Sequence, residues 1–453
     1  MKKIFILNVI IVSIVFAQWH TPENVSNSNG NSYLGHSAGW TVAFDTNNNV
    51  HITWYTENDS PGIKYMLVPA STHKSGTVEN VETGPNYLHP SIAVDSNNLP
   101  YVTWFHNDNS DDNRIKYKVK NGSWPSNQDV MNGLNPAIAV SQSGNAYIVS
   151  HDNYHFYYRT NQGGTWDSIK TMNPEPDSYY PKFPPTVVYN ENTKDVFIAG
   201  YSVSDHSGSP DHEWLLLYRI PHGTDSLSGP VYAADSAGGA YLSMVIENNN
   251  IHIFYEHSLG HHYVYHVVSS DNGVTWSSPE QISSNDPESK ISATVSSSGN
   301  IWVVWDDSYP YLYYNVYDAA TSSWLGEQKI IYDSEEVHGH YPSLTSDRDG
   351  NIHVVYEHNN DIYYIWYTNS SAVGKREKTS EEMVILKDDK LFYNTGNRTK
   401  GKLSIYDVTG TEILKRNVIN RGQLDISNLS QGIYFIKFII GHNTYIHKIT
   451  VVK

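Results

Sequence analysis

The sequence predicts an all-β chain built mainly as a seven-bladed β-propeller. Three observations predict it. First, a unit of roughly 40–50 residues with four short strands recurs along the chain. Second, a Trp followed six positions later by an aliphatic residue marks the last strand of several units. Third, the strand signal is period-two alternation of β-branched and aromatic residues, broken by Asp/Asn/Gly turns.

The clearest unit runs from His340 to Tyr367. A short apolar run at Pro342–Thr345 meets the turn Asp347-Arg348-Asp349-Gly350-Asn351. The alternating run Ile352–Tyr356 follows, then the aromatic-rich Ile362–Tyr367. The same order returns in His89-Pro90-Ser91-Ile92-Ala93-Val94 with Tyr101–Trp104. It returns again in Asn135–Val140 with Tyr147–Val149. Such runs joined by polar turns are antiparallel hairpins. Units begin near Gly39, Pro90, Pro136, Pro185, Tyr241, Ile291 and Pro342, which makes seven, the fourth lengthened by an insertion around Ser202–His212.

The outermost strands carry the Trp spacing: Trp124 with Val130, Trp166 with Met172, Trp276 with Ile282 and Trp324 with Ile330. The seventh unit lacks this strand after Tyr367. Trp19 with Val25 supplies it from the other end of the chain. Residues 18–26 are therefore expected to complete the last blade and close the ring, which removes an open sheet edge.

Composition narrows the function. The chain has 453 residues, 39% hydrophobic and 13% aromatic, enough for a large core. Its formal net charge of −17 argues against nucleic acid as a partner, because phosphate binding needs a basic face. It contains no Cys, so packing and closure replace disulfides. Residues 1–17, with Lys2-Lys3, an apolar run and Ala17, read as a signal peptide. That run is short for a membrane span, and no other segment reads as one.

Ser269-Ser270-Asp271-Asn272-Gly273-Val274-Thr275-Trp276 resembles the Asp-box turn of sialidase-like propellers with BNR repeats. Arg159–Trp166 is a degraded copy. The resemblance implies a turn between third and fourth strands, away from the functional face. After the polar linker 372–383 the composition changes. Leu429-Ser430-Gln431-Gly432-Ile433-Tyr434-Phe435 and the ending Lys448–Lys453 resemble the C-terminal sorting domain of type IX secretion. The resemblance implies a small β-sandwich over 384–453, the outer-membrane secretion machinery as a partner, and a secreted or cell-surface protein. The usual Pro-Asn-Pro opening is absent near Asn394. The propeller then spans 18–371.

Up-down strand order sorts the loops onto two faces. Blade-to-blade connections and those between second and third strands share one face. That face carries His36, His89 and His340 before first strands. It carries Glu57, His106, His151-Asp152, Glu256-His257, Asp306-Asp307 and Glu357-His358 after second strands, with Tyr87, Tyr309 and Tyr341 nearby. Loops on a rigid scaffold are where binding groups are usually placed. The expected ligand is a glycan, held by His36, His151, His257, Tyr309, His340, Tyr341, Glu357 and His358.

Catalysis is the alternative. The pairs His89/His106 and His340/His358 resemble those of propeller polysaccharide lyases acting on uronic-acid polymers. That resemblance implies β-elimination with His106 as base, His89 as neutraliser and Arg114 as carboxylate clamp. Sialidase chemistry fits less well. It needs an arginine triad, and Arg219-Ile220-Pro221 ends a third strand on the opposite face. Glu256-His257 with His261-His262 makes a weak metal set, so neither a metal nor a cofactor is expected. A structural or protein-binding propeller of the envelope is the remaining reading.

Overall fold

A computed structural model describes residues 18–35, 37–107, 113–173, 179–181, 183–204, 213–224, 226–235, 237, 241–257, 263–284, 287, 290–308, 310–333, 335–368, 384–387, 390–394, 400–407, 411–419, 421–440 and 443–451. The chain divides into two units, one spanning Trp19–Tyr367 and the other containing Thr368–Lys453.

The first unit holds seven antiparallel sheets of four or five strands. Their innermost strands are Val42–Phe44, Tyr87–Val94, Leu134–Val140, Thr186–Tyr189, Ser243–Glu247, Ser292–Val295 and His340–Ser346. Each packs beside the next, and the seventh packs beside the first, so the sheets close a ring as blades 1 to 7. Apolar side chains from both faces of the second strands fill the spaces between blades. Trp54, Trp104 and Trp305 are among the largest of these buried groups.

Hydroxyl side chains knit the ring at its inner wall. Thr41, Ser91, Thr186, Ser243, Ser292 and Ser343 hold equivalent first-strand positions, all buried. Ser91 Oγ accepts from Ile138 N (3.4 Å), Ser243 from Ala293 N (3.0 Å), Ser292 from Leu344 N (3.2 Å) and Ser343 from Thr41 N (3.0 Å). Each satisfies an amide of the next blade that lies beyond reach of its own ladder.

Blade 7 is completed by the N-terminal strands Gln18–Trp19 and Glu23–Asn24, which pair with Asp361–Thr368. Trp19 packs against Trp302, Tyr314 and Tyr367. The Asp-box turn follows the third strand of blade 5, Val264–Ser269. Asp271 Oδ1 accepts from Val274 N (3.1 Å) and Thr275 N (2.8 Å), and Oδ2 accepts from Thr275 Oγ1 (2.6 Å). Gly273, at φ 84°, lies so close to Leu217 that an added Cβ would fall 2.1 Å from its Cδ2.

The second unit is two sheets, one of three strands and one of four. Leu391 from the first and Leu403, Ile405 and Ile436 from the second share one buried core. No helix of the described residues is long and apolar enough to cross a membrane.

Candidate functional site

Blade 1 departs from its neighbours at the inner wall. Asn31–Tyr33 and Val42–Phe44 both pair with Val50–Glu57, but the residues between them leave the sheet. That segment runs across the axis. Ser37 Oγ donates to Pro136 O of blade 3. Trp40 Nε1 donates to Ala293 O of blade 6 (3.1 Å), and Ile92 N of blade 2 donates to Trp40 O (2.8 Å). Lys290 Nζ of blade 6 donates to Gly39 O (2.8 Å). Glu357 of blade 7 accepts from Leu34 N (2.6 Å) and Gly35 N (3.3 Å). Contacts to four other blades make the segment a plug at the centre of the ring. Trp40 and residues of all seven first strands line a cavity of about 340 Å³.

Around the ring, one residue per blade occupies the position two residues ahead of the hydroxyl ring. These are Gly39, His89, Asn135, Pro184, Tyr241, Lys290 and Tyr341. His89, Asn135 and Tyr341 each precede a Pro and have positive φ (52°, 47° and 51°). Each lies at a bulge, where register shifts between Leu88/Ser91, Leu134/Ala137 and His340/Ser343. A non-Gly residue in that region costs roughly 1–3 kcal/mol and re-aims its side chain. The same conformation in three blades makes it a built feature of this rim.

Blades 1, 5, 6 and 7 bring a set of polar groups together. His340 Nδ1 lies 2.9 Å from Asp306 Oδ2, and Asp306 is fully buried. Tyr241 and Tyr341 meet edge to face at 6.2 Å. Burial pushes the Glu357 carboxyl up to about 7, helped by nearby Asp306 and opposed by the two amides of the plug and by His340. Burial likewise brings the Lys290 amine down to about 7, against the pull of Glu357. Tyr55 and Tyr241 are raised well beyond the ordinary phenol range, chiefly by burial and then by neighbours including Glu357 and Tyr341. His340, Tyr341 and Glu357 are partly exposed above this buried layer.

The other expected site residues are dispersed. The His89 ring faces Tyr55 edge-on at 5.8 Å and lies parallel to Phe105 at 6.3 Å. His106 lies against Tyr87 at 4.5 Å and opposite Arg114 across the strand pair. Arg114 does not stand ready as a clamp: its Nη1 is 2.8 Å from Asp129 Oδ2. His151 is not a rim group either. It is 7% exposed, with Nδ1 3.1 Å from Asp152 O and Nε2 3.3 Å from Asn135 Nδ2, and burial lowers its basicity. His257 packs on Tyr265 at 4.9 Å. His358 contacts Tyr363 and Asn359, and burial and then nearby His338 and His340 lower its basicity. His36, Tyr309, His261 and His262 lie outside the described residues. Among the described residues, no group of three or more His, Asp or Glu is arranged to hold a metal ion. Arg219 is held by Asp195 at 2.8 Å.

Sequence reasoning passed over Lys290, Tyr241 and Tyr55. The signal was present for two of them: Lys290-Ile291-Ser292 and Tyr241-Leu242-Ser243 align with His89-Pro90-Ser91.

Residues 240–354 match the BNR repeat-like domain. Residues 387–452 match the secretion system C-terminal sorting domain, which indicates type IX export to the cell surface or medium. No curated protein matches the chain. An ulvan lyase of a new polysaccharide lyase family is similar in structure, at 10% identity over 78% of this chain and 94% of that one, TM-score 0.54. The polysaccharide lyase Uly1 is similar at 10% identity over 78% and 100%, TM-score 0.53. The Hadza microbial sialidase Hz136 superposes more loosely, at 12% identity over 69% and 72%, TM-score 0.45. At these identities the lyase likeness is one of fold.

Proposed function

We propose that this exported propeller binds glycans at the mouth of its His- and Tyr-bearing face. The convergence of His340, Tyr341 and Glu357 over Tyr241, Tyr55 and Asp306 carries the reading. Sugars need aromatic surface for their C–H faces and paired donors and acceptors for their hydroxyls, and these groups offer both. Residues 1–17 act as an export signal, 18–371 as the binding propeller, and 384–453 as the sorting domain beyond the linker 372–383. The sorting domain's partner is the outer-membrane secretion machinery.

A glycan array tests the reading. Binding is expected, with loss on Tyr341→Ala; an empty array on folded protein overturns it. A second reading, cleavage of uronic-acid polymers by β-elimination, draws on the likeness to two polysaccharide lyases and on the contact between His106 and Tyr87. Elimination leaves an unsaturated product that absorbs in the ultraviolet. Its formation from alginate or another uronate polymer, abolished by His106→Ala, separates cleavage from binding alone.

A further inference from the structure

The loop between the second and third strands of blade 3, Ala146–His151 and Phe156–Thr160, carries aromatic rings that the central mouth does not use. Tyr154 is 69% exposed, more than any other large hydrophobic side chain among the described residues. Its ring lies 6.3 Å from that of His155, and His155 lies 6.0 Å from Tyr157. All three sit on the same end of the blade as the His rim.

Asp152 holds this loop in shape. Its Oδ1 accepts from Tyr154 N and His155 N, both at 2.7 Å, and its Oδ2 accepts from Tyr157 OH at 2.7 Å. The loop closes on itself through Asp152 N to His155 O at 3.0 Å. The rings are therefore presented on a fixed frame, and binding would not have to order them first.

We infer that Tyr154, His155 and Tyr157 form an outer subsite that stacks a neutral sugar ring of a polysaccharide. This rests on the glycan reading above and extends it beyond the mouth. The Tyr154 face takes the C–H side of the pyranose. The imidazole of His155 and the Tyr157–Asp152 pair supply donors and acceptors for its hydroxyls. Charge selects the class. The frame is built on a carboxylate, and the chain carries −17, so a uronate or sulfate ester would be repelled. The nearby cations of blade 3 are engaged elsewhere: Arg159 Nε donates to Asp167 O at 2.7 Å, and Lys170 Nζ to Asp167 Oδ2 at 2.8 Å.

Native affinity electrophoresis of the full chain tests this, with gels containing laminarin, xylan or mannan as neutral probes and alginate as the acidic one. Wild type is expected to be retarded by at least one neutral polymer. Tyr154→Ala should weaken that retardation about 3- to 10-fold, the range of an aromatic stacking contact. Tyr154→Phe should retain it, and both variants should melt with wild type because the side chain is exposed. Equal retardation of wild type and Tyr154→Ala overturns the subsite and leaves the glycan reading standing. Retardation by alginate alone overturns the neutral class. Retardation by none of the four polymers overturns the subsite, and an empty glycan array beside it removes the broader reading too.

Discussion

The indole of Trp366 lies flat against the imidazole of His20, with 3.5 Å between centroids and 7° between planes. His73 stacks on Trp366 as well, at 3.9 Å and 18°. His20 belongs to the N-terminal segment that closes the ring and donates its amide to Trp366 O at 2.8 Å. His73 also faces His353 at 5.8 Å, and His353 Nε2 lies 3.3 Å from Asp347 Oδ2. Burial lowers both His20 and His73 to about 4; for His73, repulsion from His353 and His20 adds to it and Asp347 opposes it. The unfolded chain therefore takes up protons that the folded one refuses between pH 6.5 and about 4. Stability from these groups is complete above 6.5 and falls as pH drops toward 4. Melting curves from pH 8 to 4 should show this loss, and His20→Phe/His73→Phe should flatten part of it. An unchanged slope in the double variant would remove these two residues from the closure.

Trp19 should matter far more than a terminal residue normally does. It is 9% exposed, packed among Trp302, Tyr314 and Tyr367, and its strand completes blade 7. Trp19→Ala is expected to destabilise the propeller by roughly 3–5 kcal/mol, the usual scale for deleting a buried Trp. Urea unfolding followed by circular dichroism checks it. A loss below 1 kcal/mol would mean the ring holds without its closing strand.

The ring was readable because its devices repeat. Alternation exposes the strands, and the Trp spacing ties residues 18–26 to the last blade. The plug was not readable. Its contacts, from Ser37 to Pro136 and from Trp40 to Ala293, join residues far apart in the chain, and no local pattern encodes them. His51, His252 and His353 alternate with apolar residues along second strands, and all three are buried. Both faces of a blade's second strand are covered by neighbouring blades. Each imidazole meets a third-strand partner there through its Nδ1: Tyr65 OH (2.8 Å), His266 Nε2 (3.0 Å) or Tyr364 OH (2.8 Å). His151, expected at the rim because it ends a second strand, is also buried.

The two faces should separate in mutants. Asp271→Ala removes the acceptor for Val274 N, Thr275 N and Thr275 Oγ1, and its carboxyl is held down to about 2 by those bonds. The melting temperature should fall by roughly 2–4 °C while glycan affinity stays at the wild-type level. An Asp271→Ala protein that melts normally and loses its ligand would move the binding site to the hairpin face.

Glu357 joins the plug to the binding mouth, and its ionisation should show in stability. Its carboxyl sits at about 7 in the folded protein, against 4.5 ordinarily, chiefly through burial. Asp306, His340 and Lys290 face it. A raised folded value means that the native state holds a proton the unfolded state has released. The stabilising contribution is therefore full below pH 4.5 and is lost as pH rises through 7. Glu357→Gln keeps an oxygen for Leu34 N and Gly35 N but cannot ionise. At pH 5 the variant should melt close to wild type. At pH 8 it should melt higher, by roughly 2–5 °C. Lys290, lowered to about 7 from 10.5, titrates in the opposite sense above pH 7, so the difference between variant and wild type is the informative quantity. A difference that stays constant from pH 5 to 8 would show that Glu357 is ionised throughout, and the mouth would then be anionic over the whole physiological range.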